Sequence, residues 1–250
     1  MNDRVYDEAH VVINRMIGRQ YNNPLGEDVF PLLLRLVQDS PQPLHILDVG
    51  CGRGMTALWW ANKNARIVAF DPSAAMLTEA ARLLDDAGLS DVVSFECTDI
   101  RKFRSRQQFD LIIVHDVLCY SDNRAQDLNL IMSHCRPRGL VSLSDYFGDI
   151  KAASVRQIVE AWDIQAPLHF EDYQRLLKNL DDDILLLDET TRRYRDHWTA
   201  IRKRIEGQRP LMIEHVGSSA VEKLDRQITS IEKALTDGHF GHLWSILEKK

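Results

Sequence analysis

Cysteine is scarce in this chain: four residues in 250, at positions 51, 97, 119 and 135, with no C-x-x-C and no Cys/His pair at ligand spacing. That excludes a disulfide framework and gives no metal site, and the four are expected as reduced thiols. Long apolar runs are missing too. No stretch approaches the ~18 uncharged residues of a membrane helix, and the opening MNDRVYDEAH lacks the apolar run of a signal peptide, so the cytoplasm is the expected compartment and no membrane partner is expected. Positive charge is not in excess. With 31 Lys and Arg against 37 Asp and Glu, net −6, nothing draws the whole chain to a polyanion, and nucleic acid is not the expected partner. Only 12 Gly and 8 Pro exclude a collagen-like or low-complexity chain. What is there is ordinary globular composition, 44% hydrophobic and 27% charged, at a length suited to one α/β domain with an insertion.

Residues 44–49 form an almost continuous apolar run ending in glycines, the signature of a central parallel strand buried on both faces. The run predicts a helix over 54–64 with Met55, Leu58 and Trp59 on one face. Strands are then expected at 66–70, 92–97, 109–115 and 140–145, with helices at 73–87 and 122–135 between them. Strands alternating with helices imply an α/β, doubly wound, mostly parallel sheet. After Tyr146 come an amphipathic helix at 151–163, a short helix near Glu171 and an apolar strand at 184–187. Two helices follow, one striped by Tyr194, Trp198, Ile201 and Ile205, the other by Val221, Leu224, Ile228, Ile231 and Leu235, with Ser219 and Glu222 spaced as a capping box. A last strand at 240–247 is placed antiparallel to the 184–187 strand, making seven, with the two helices standing off the sheet.

The string ILDVGCGRG at 46–54 carries the most chemistry. Glycines at 50, 52 and 54 between a strand and a helix bring bare backbone and a helix N-terminus to a ligand. Their spacing is not the G-x-G-x-x-G of dinucleotide binders, so a pyrophosphate is not the first expectation. Asp71 ends the next strand about twenty residues on, where a carboxylate can accept hydrogen bonds from a ribose diol. An aspartate there can also cap the following helix, but Ser73 is available for that.

An acidic residue followed by G-x-G-x-G, with Asp71 after it, resembles the class I S-adenosylmethionine-dependent methyltransferases, over about residues 40–147. The resemblance implies a Rossmann-like core at 41–188 and 239–250, an N-terminal helical cap over the cofactor at 1–40, and a helical insertion at 189–238 forming a substrate lid. It implies S-adenosylmethionine bound by Asp48, Gly50, Cys51, Gly52, Gly54, Asp71, Pro72, Met76 and His115, with Asp99 and Ile100 flanking the adenine. Within that superfamily the chain resembles small-molecule enzymes of the phosphoethanolamine and glycine/sarcosine N-methyltransferase kind. That likeness rests on Gln20-Tyr21 before the core, the segment around Asp116, Ser144-Asp145-Tyr146, and the late helical insertion. It implies Tyr21, Asp116, Tyr120, Tyr146 and Trp198 at the substrate, with Asp116, Tyr21 and His115 in the chemistry.

Departures from the family patterns narrow the acceptor. The fourth strand ends His115-Asp116-Val117-Leu118, not in the Asn/Asp-Pro-Pro-aromatic tetrad of enzymes that methylate adenine or glutamine amides, and no Pro-Cys nucleophile is present. Tyr120 stands where the phosphobase enzymes have a latch histidine, and the helix after Tyr146 offers Ile158, Trp162 and Ile164 in place of phosphate-holding tyrosines and arginine. The expectation is methyl transfer to a small-molecule acceptor, an amine ahead of an oxygen or carbon nucleophile. With an amine, Asp116 orients it; with a phenol or enol, His115 or Asp116 is the base. Residues 192–209 hold seven Arg or Lys against two acids, which keeps RNA methylation as an alternative, beside a non-catalytic cofactor-binding subunit.

Overall fold

The computed structural model describes residues 8–16 and 25–250. Tyr21, with Gln20, lies outside them. In chain order the elements are α1 (Glu8–Met16), α2 (Phe30–Leu36), β1 (His45–Val49), α3 (Met55–Ala61), β2 (Arg66–Asp71), α4 (Ala74–Asp86), β3 (Val93–Cys97) and β4 (Phe109–His115). They continue with α5 (Arg124–Ser133), β5 (Cys135–Gly148), α6 (Ala153–Trp162), α7 (Phe170–Lys178), β6 (Asp183–Glu189), α8 (Thr191–Val216), α9 (Ser218–Thr236) and β7 (Phe240–Glu248).

The seven strands form one sheet in the order β3-β2-β1-β4-β5-β7-β6. The first five run parallel to their neighbours, and β7 lies between β5 and β6, antiparallel to both. Alternate residues of the central strands enter opposite cores, as a sheet covered on both faces requires. Ile46, Leu111 and Ile113 pack on the α2 and α3 side, while Leu47, Ile112 and Val114 pack with Leu128 and Ile131 of α5 and Tyr173 of α7. A third cluster joins α6, α8 and α9 through Val155, Ile158, Trp198, Ile201, Ile228 and Ile231.

Helices α8 and α9 form a hairpin turned at Gly217. Its ion pairs Arg202–Glu232 and Arg209–Asp225 show the antiparallel register, because the paired numbers rise along one helix and fall along the other. Both apolar stripes read from the sequence are buried. The capping box is not: α9 starts one residue before Ser219, with Gly217 at the cap and no side-chain capping bond. In α3, Ala57, Trp60 and Ala61 are buried, while Leu58 and Trp59 are partly buried against the same core, and Phe30 of α2 meets both tryptophans. Asn123, whose side chain accepts from the Gln126 amide, starts α5 two residues later than expected, and β5 extends in both directions to 14 residues, with Cys135 paired to Phe109 of β4 at its start and Gly148 to Phe240 of β7 at its end.

Strand order reverses between β1 and β4, so their carboxyl ends open a crevice at that point.

Candidate active site

The turn after β1 is built on left-handed backbone: Gly50, Gly52 and Gly54 have φ of 65°, 52° and 78°. Space is as restrictive as conformation. A Cβ on Gly50 would stand 2.6 Å from Val117 Cγ2, and one on Gly54 2.8 Å from Ala80 Cβ and 3.1 Å from Ala80 Cα. Gly54 is thus where the turn meets α4, and neither strain nor clash is relieved by moving a flexible side chain alone. Gly54→Ala is expected to destabilise the fold by about 1–3 kcal/mol, seen as a lower urea midpoint, whereas Gly207→Ala, on α8 in open space, should not lower it.

Asp71 holds this turn from the end of β2. One carboxylate oxygen accepts from the Gly52 amide at 3.0 Å and the other from the Ser73 amide at 2.8 Å. Ser73 caps α4, its hydroxyl accepting from the Met76 amide at 3.4 Å. Burial raises the Asp71 carboxyl above its ordinary range, with both amides pulling it back. Asp48 sits beneath, fully enclosed; burial first and the charge of Asp71 second push it up to about 7, against a hydrogen bond from the Ala57 amide. The folded chain therefore keeps a proton on Asp48 that the unfolded chain loses near 3.8, and between those values stability falls as pH rises. Asp48→Asn should raise the melting temperature of the cofactor-free protein near pH 8, and raise it less near pH 5.

A cavity of about 580 Å³ opens at the crevice. Its walls include Gly50, Gly52, Asp71, Pro72 and Met76 from the β1 and β2 ends, then Asp99, Ile100, His115 and Asp116. Tyr120, Tyr146 and Trp198 line it as well, so the residues expected at cofactor and at substrate meet in one space. Asp48, Cys51 and Gly54 do not border it. They stand behind the turn, with Cys51 buried and its amide donating to Phe70 O.

Asp99 accepts from the Arg101 and Lys102 amides at 3.0 and 3.1 Å, with Lys102 Nζ at 3.1 Å from its second oxygen. Burial pulls this carboxyl up, but those bonds outweigh it and hold it below its ordinary value. His115 Nε2 lies 2.8 Å from Ser142 Oγ, and burial pushes the imidazole down to about 4, so it is neutral at physiological pH.

Asp116 follows β4 with φ of 57°, a left-handed conformation that Asp and Asn tolerate best among residues with a Cβ. Its amide donates to Ser144 O, which fixes it against β5. One carboxylate oxygen, Oδ1, accepts from Ser144 Oγ at 2.8 Å and from His242 Nε2 at 2.9 Å. The other, Oδ2, is buried with no hydrogen-bond partner among the described residues. Burial alone would raise this carboxyl; the His242 imidazole and the Ser144 hydroxyl outweigh it and hold it below the ordinary range. Behind it, His242 is fully buried and its Nδ1 meets Thr190 Oγ1 at 2.5 Å, at the root of α8.

A family model for a methyltransferase domain matches residues 46–139, the span from β1 to the first residues of β5. By that match residues 46–139 are a methyltransferase domain. The chain is similar to the tRNA 5-carboxymethoxyuridine methyltransferase of Escherichia coli K12, 29% identical over 153 residues and 58% of each chain. It thus spans a little under three fifths of that curated relative's length. Among solved structures, the phosphoethanolamine N-methyltransferase 2 of Haemonchus contortus superposes with TM-score 0.84 at 19% identity, over 98% of this chain and 58% of that one. A putative sarcosine dimethylglycine methyltransferase of Galdieria sulphuraria gives 0.79 at 14%, over 90% and 84%.

The methyltransferase domain supplies the cavity's floor, while α6, α8 and α9 supply its other side through Trp162, Tyr194, Trp198 and Ile231. Its glycine turn fits the donor of this family: the close backbone approach at Gly50 and Gly52 lines the cavity with main chain, and the Asp71 carboxylate borders the same wall. His242 and Thr190 were not singled out in the sequence. A histidine inside the apolar strand 240–247 was the available signal, but only the order β4-β5-β7 puts it beside Asp116.

Proposed function

We propose that the protein is an S-adenosylmethionine-dependent methyltransferase whose acceptor is the nitrogen of a small-molecule amine. Asp116 carries this reading: it lines the cavity and holds a buried anionic carboxylate, one oxygen tied back and the other without a hydrogen-bond partner among the described residues. Gly50, Gly52 and Asp71 are assigned to the donor's methionine and ribose portions, and Asp99 and Ile100 to its adenine.

When bound, S-adenosylmethionine supplies an already activated methyl, whose bond to sulfur breaks with its electrons staying on sulfur as the acceptor's lone pair bonds to carbon. The protein's task is placement more than activation. Positive charge develops on the acceptor nitrogen, and a fixed carboxylate beside it lowers that cost. A phenol or enol would need a base to remove its proton. His115, at about 4, and Asp116, below the carboxylate range, are weak ones at neutral pH, which supports nitrogen over oxygen or carbon. The amine instead loses its proton to solvent before transfer. In the same reading, residues 189–238 act as a substrate lid, residues 1–40 cap the cofactor and Tyr21 joins the acceptor side.

A second reading, methylation of RNA, draws on the tRNA-modifying relative. The basic face of α8 supports it weakly, since Arg202 and Arg209 are paired to α9 and Arg195 donates to the Leu235 carbonyl. Tandem mass spectrometry of the product made with a deuterated methyl donor separates the chemistries. The methyl is expected on nitrogen; a methyl on oxygen or carbon overturns the amine assignment.

A further inference from the structure

The cavity wall holds six aspartates, at 71, 99, 116, 122, 127 and 163. Arg101 is its one Arg or Lys among the described residues. That arginine is committed: it bonds to Asp122 and, at 2.8 Å, to Asp127, whose other oxygen takes the Ser121 hydroxyl. An acceptor bearing phosphate or carboxylate would therefore be buried beside acids with no uncommitted cation on the wall among the described residues, at a large desolvation cost.

The surfaces around Asp116 point the same way. Trp162 and Trp198 meet edge to face at 5.5 Å, and Trp162 Nε1 donates to the Gln227 carbonyl of α9 at 3.3 Å. That bond ties the indole's polar edge to α9 and leaves an apolar surface at the cavity. Tyr146 and Tyr194, 5.4 Å apart and tilted by 48°, continue this wall to Phe240. Aromatic faces around a carboxylate bind ammonium groups by cation–π attraction and flat apolar groups by contact.

We infer that the acceptor is an amine joined to a flat apolar group and free of phosphate or carboxylate, its nitrogen at Asp116 and its apolar part among Trp162, Trp198 and Tyr194. This rests on the amine reading above and goes further by excluding the anionic amines that the names of its structural neighbours suggest.

The test is calorimetric titration of the protein saturated with S-adenosylhomocysteine, using 2-phenylethylamine and tryptamine against phosphoethanolamine and glycine. The arylalkylamines are expected to bind at least tenfold more tightly, and Trp162→Leu, which keeps an apolar side chain, to weaken them about five- to tenfold. Equal or tighter binding of the anionic amines overturns the inference, as does failure of every arylalkylamine to bind. Arylalkylamines that bind but accept no labelled methyl would sink the methyl-transfer reading and leave the ligand class standing. Methylation of phosphoethanolamine or glycine in their place would do the reverse.

Discussion

Replacing Asp71 with alanine is expected to weaken S-adenosylmethionine binding by about a hundredfold or more, with the fold retained. Two losses combine. A hydrogen bond from a ligand hydroxyl to a carboxylate is worth about 1.5–3 kcal/mol, and tenfold in affinity is about 1.4, so one bond lost is at least about tenfold and two at least about a hundredfold. Asp71 also holds the Gly52 and Ser73 amides, and without it the turn at the cavity floor loses its anchor. Asp71→Asn separates the two contributions. Its amide oxygen can still accept from one of these backbone groups, so it should fall between wild type and Asp71→Ala in calorimetric titration with S-adenosylhomocysteine.

Asp116→Asn has the opposite profile: cofactor affinity within about threefold of wild type, and a methyl-transfer rate down by about a hundred- to a thousandfold. The rate figure is what removing one fixed electrostatic partner of a developing charge typically costs. Asparagine is the informative replacement, because it tolerates the left-handed backbone and its oxygen still accepts from Ser144 and His242, so only the charge is lost. Asp116→Ala leaves the buried His242 Nε2–H and Ser144 hydroxyl without their acceptor and adds a folding penalty that obscures the kinetics. Initial rates of labelled methyl entering the metabolite fraction, read beside a binding isotherm, make the distinction before any acceptor is named. A variant that keeps its rate would remove Asp116 from the acceptor site.

The strands, their parallel order and the glycine turn were legible in the sequence because each depends on neighbours in the chain. Ile46, Leu47 and Val49 are apolar on both faces, and Gly50, Gly52 and Gly54 occupy positions where a Cβ fails on conformation or space. The stripes of α8 and α9 were legible for the same reason. The facing of α3 was legible only in part: Met55, Leu58 and Trp59 share one face, but Phe30 of α2 packs on both Trp59 and Trp60, and Ala57, Trp60 and Ala61 are the residues buried. The capping box failed because Gly217, with its own backbone freedom, makes the turn between the helices. His242 was hidden for a topological reason: it lies 126 residues from Asp116, and β7 reaches β5 only after the whole α8–α9 hairpin has been inserted. The site therefore combines a floor written locally, at the ends of β1 and β2, with an acceptor side assembled from distant segments.

The most direct test is transfer of labelled methyl from S-adenosylmethionine into a cell extract separated into metabolites, RNA and protein, with Asp71→Ala as the control. Label that enters the metabolite fraction with the wild-type protein and is lost with the variant is the predicted result. Label lost from the RNA or protein fraction instead, or no transfer by a protein that binds the cofactor, would contradict it.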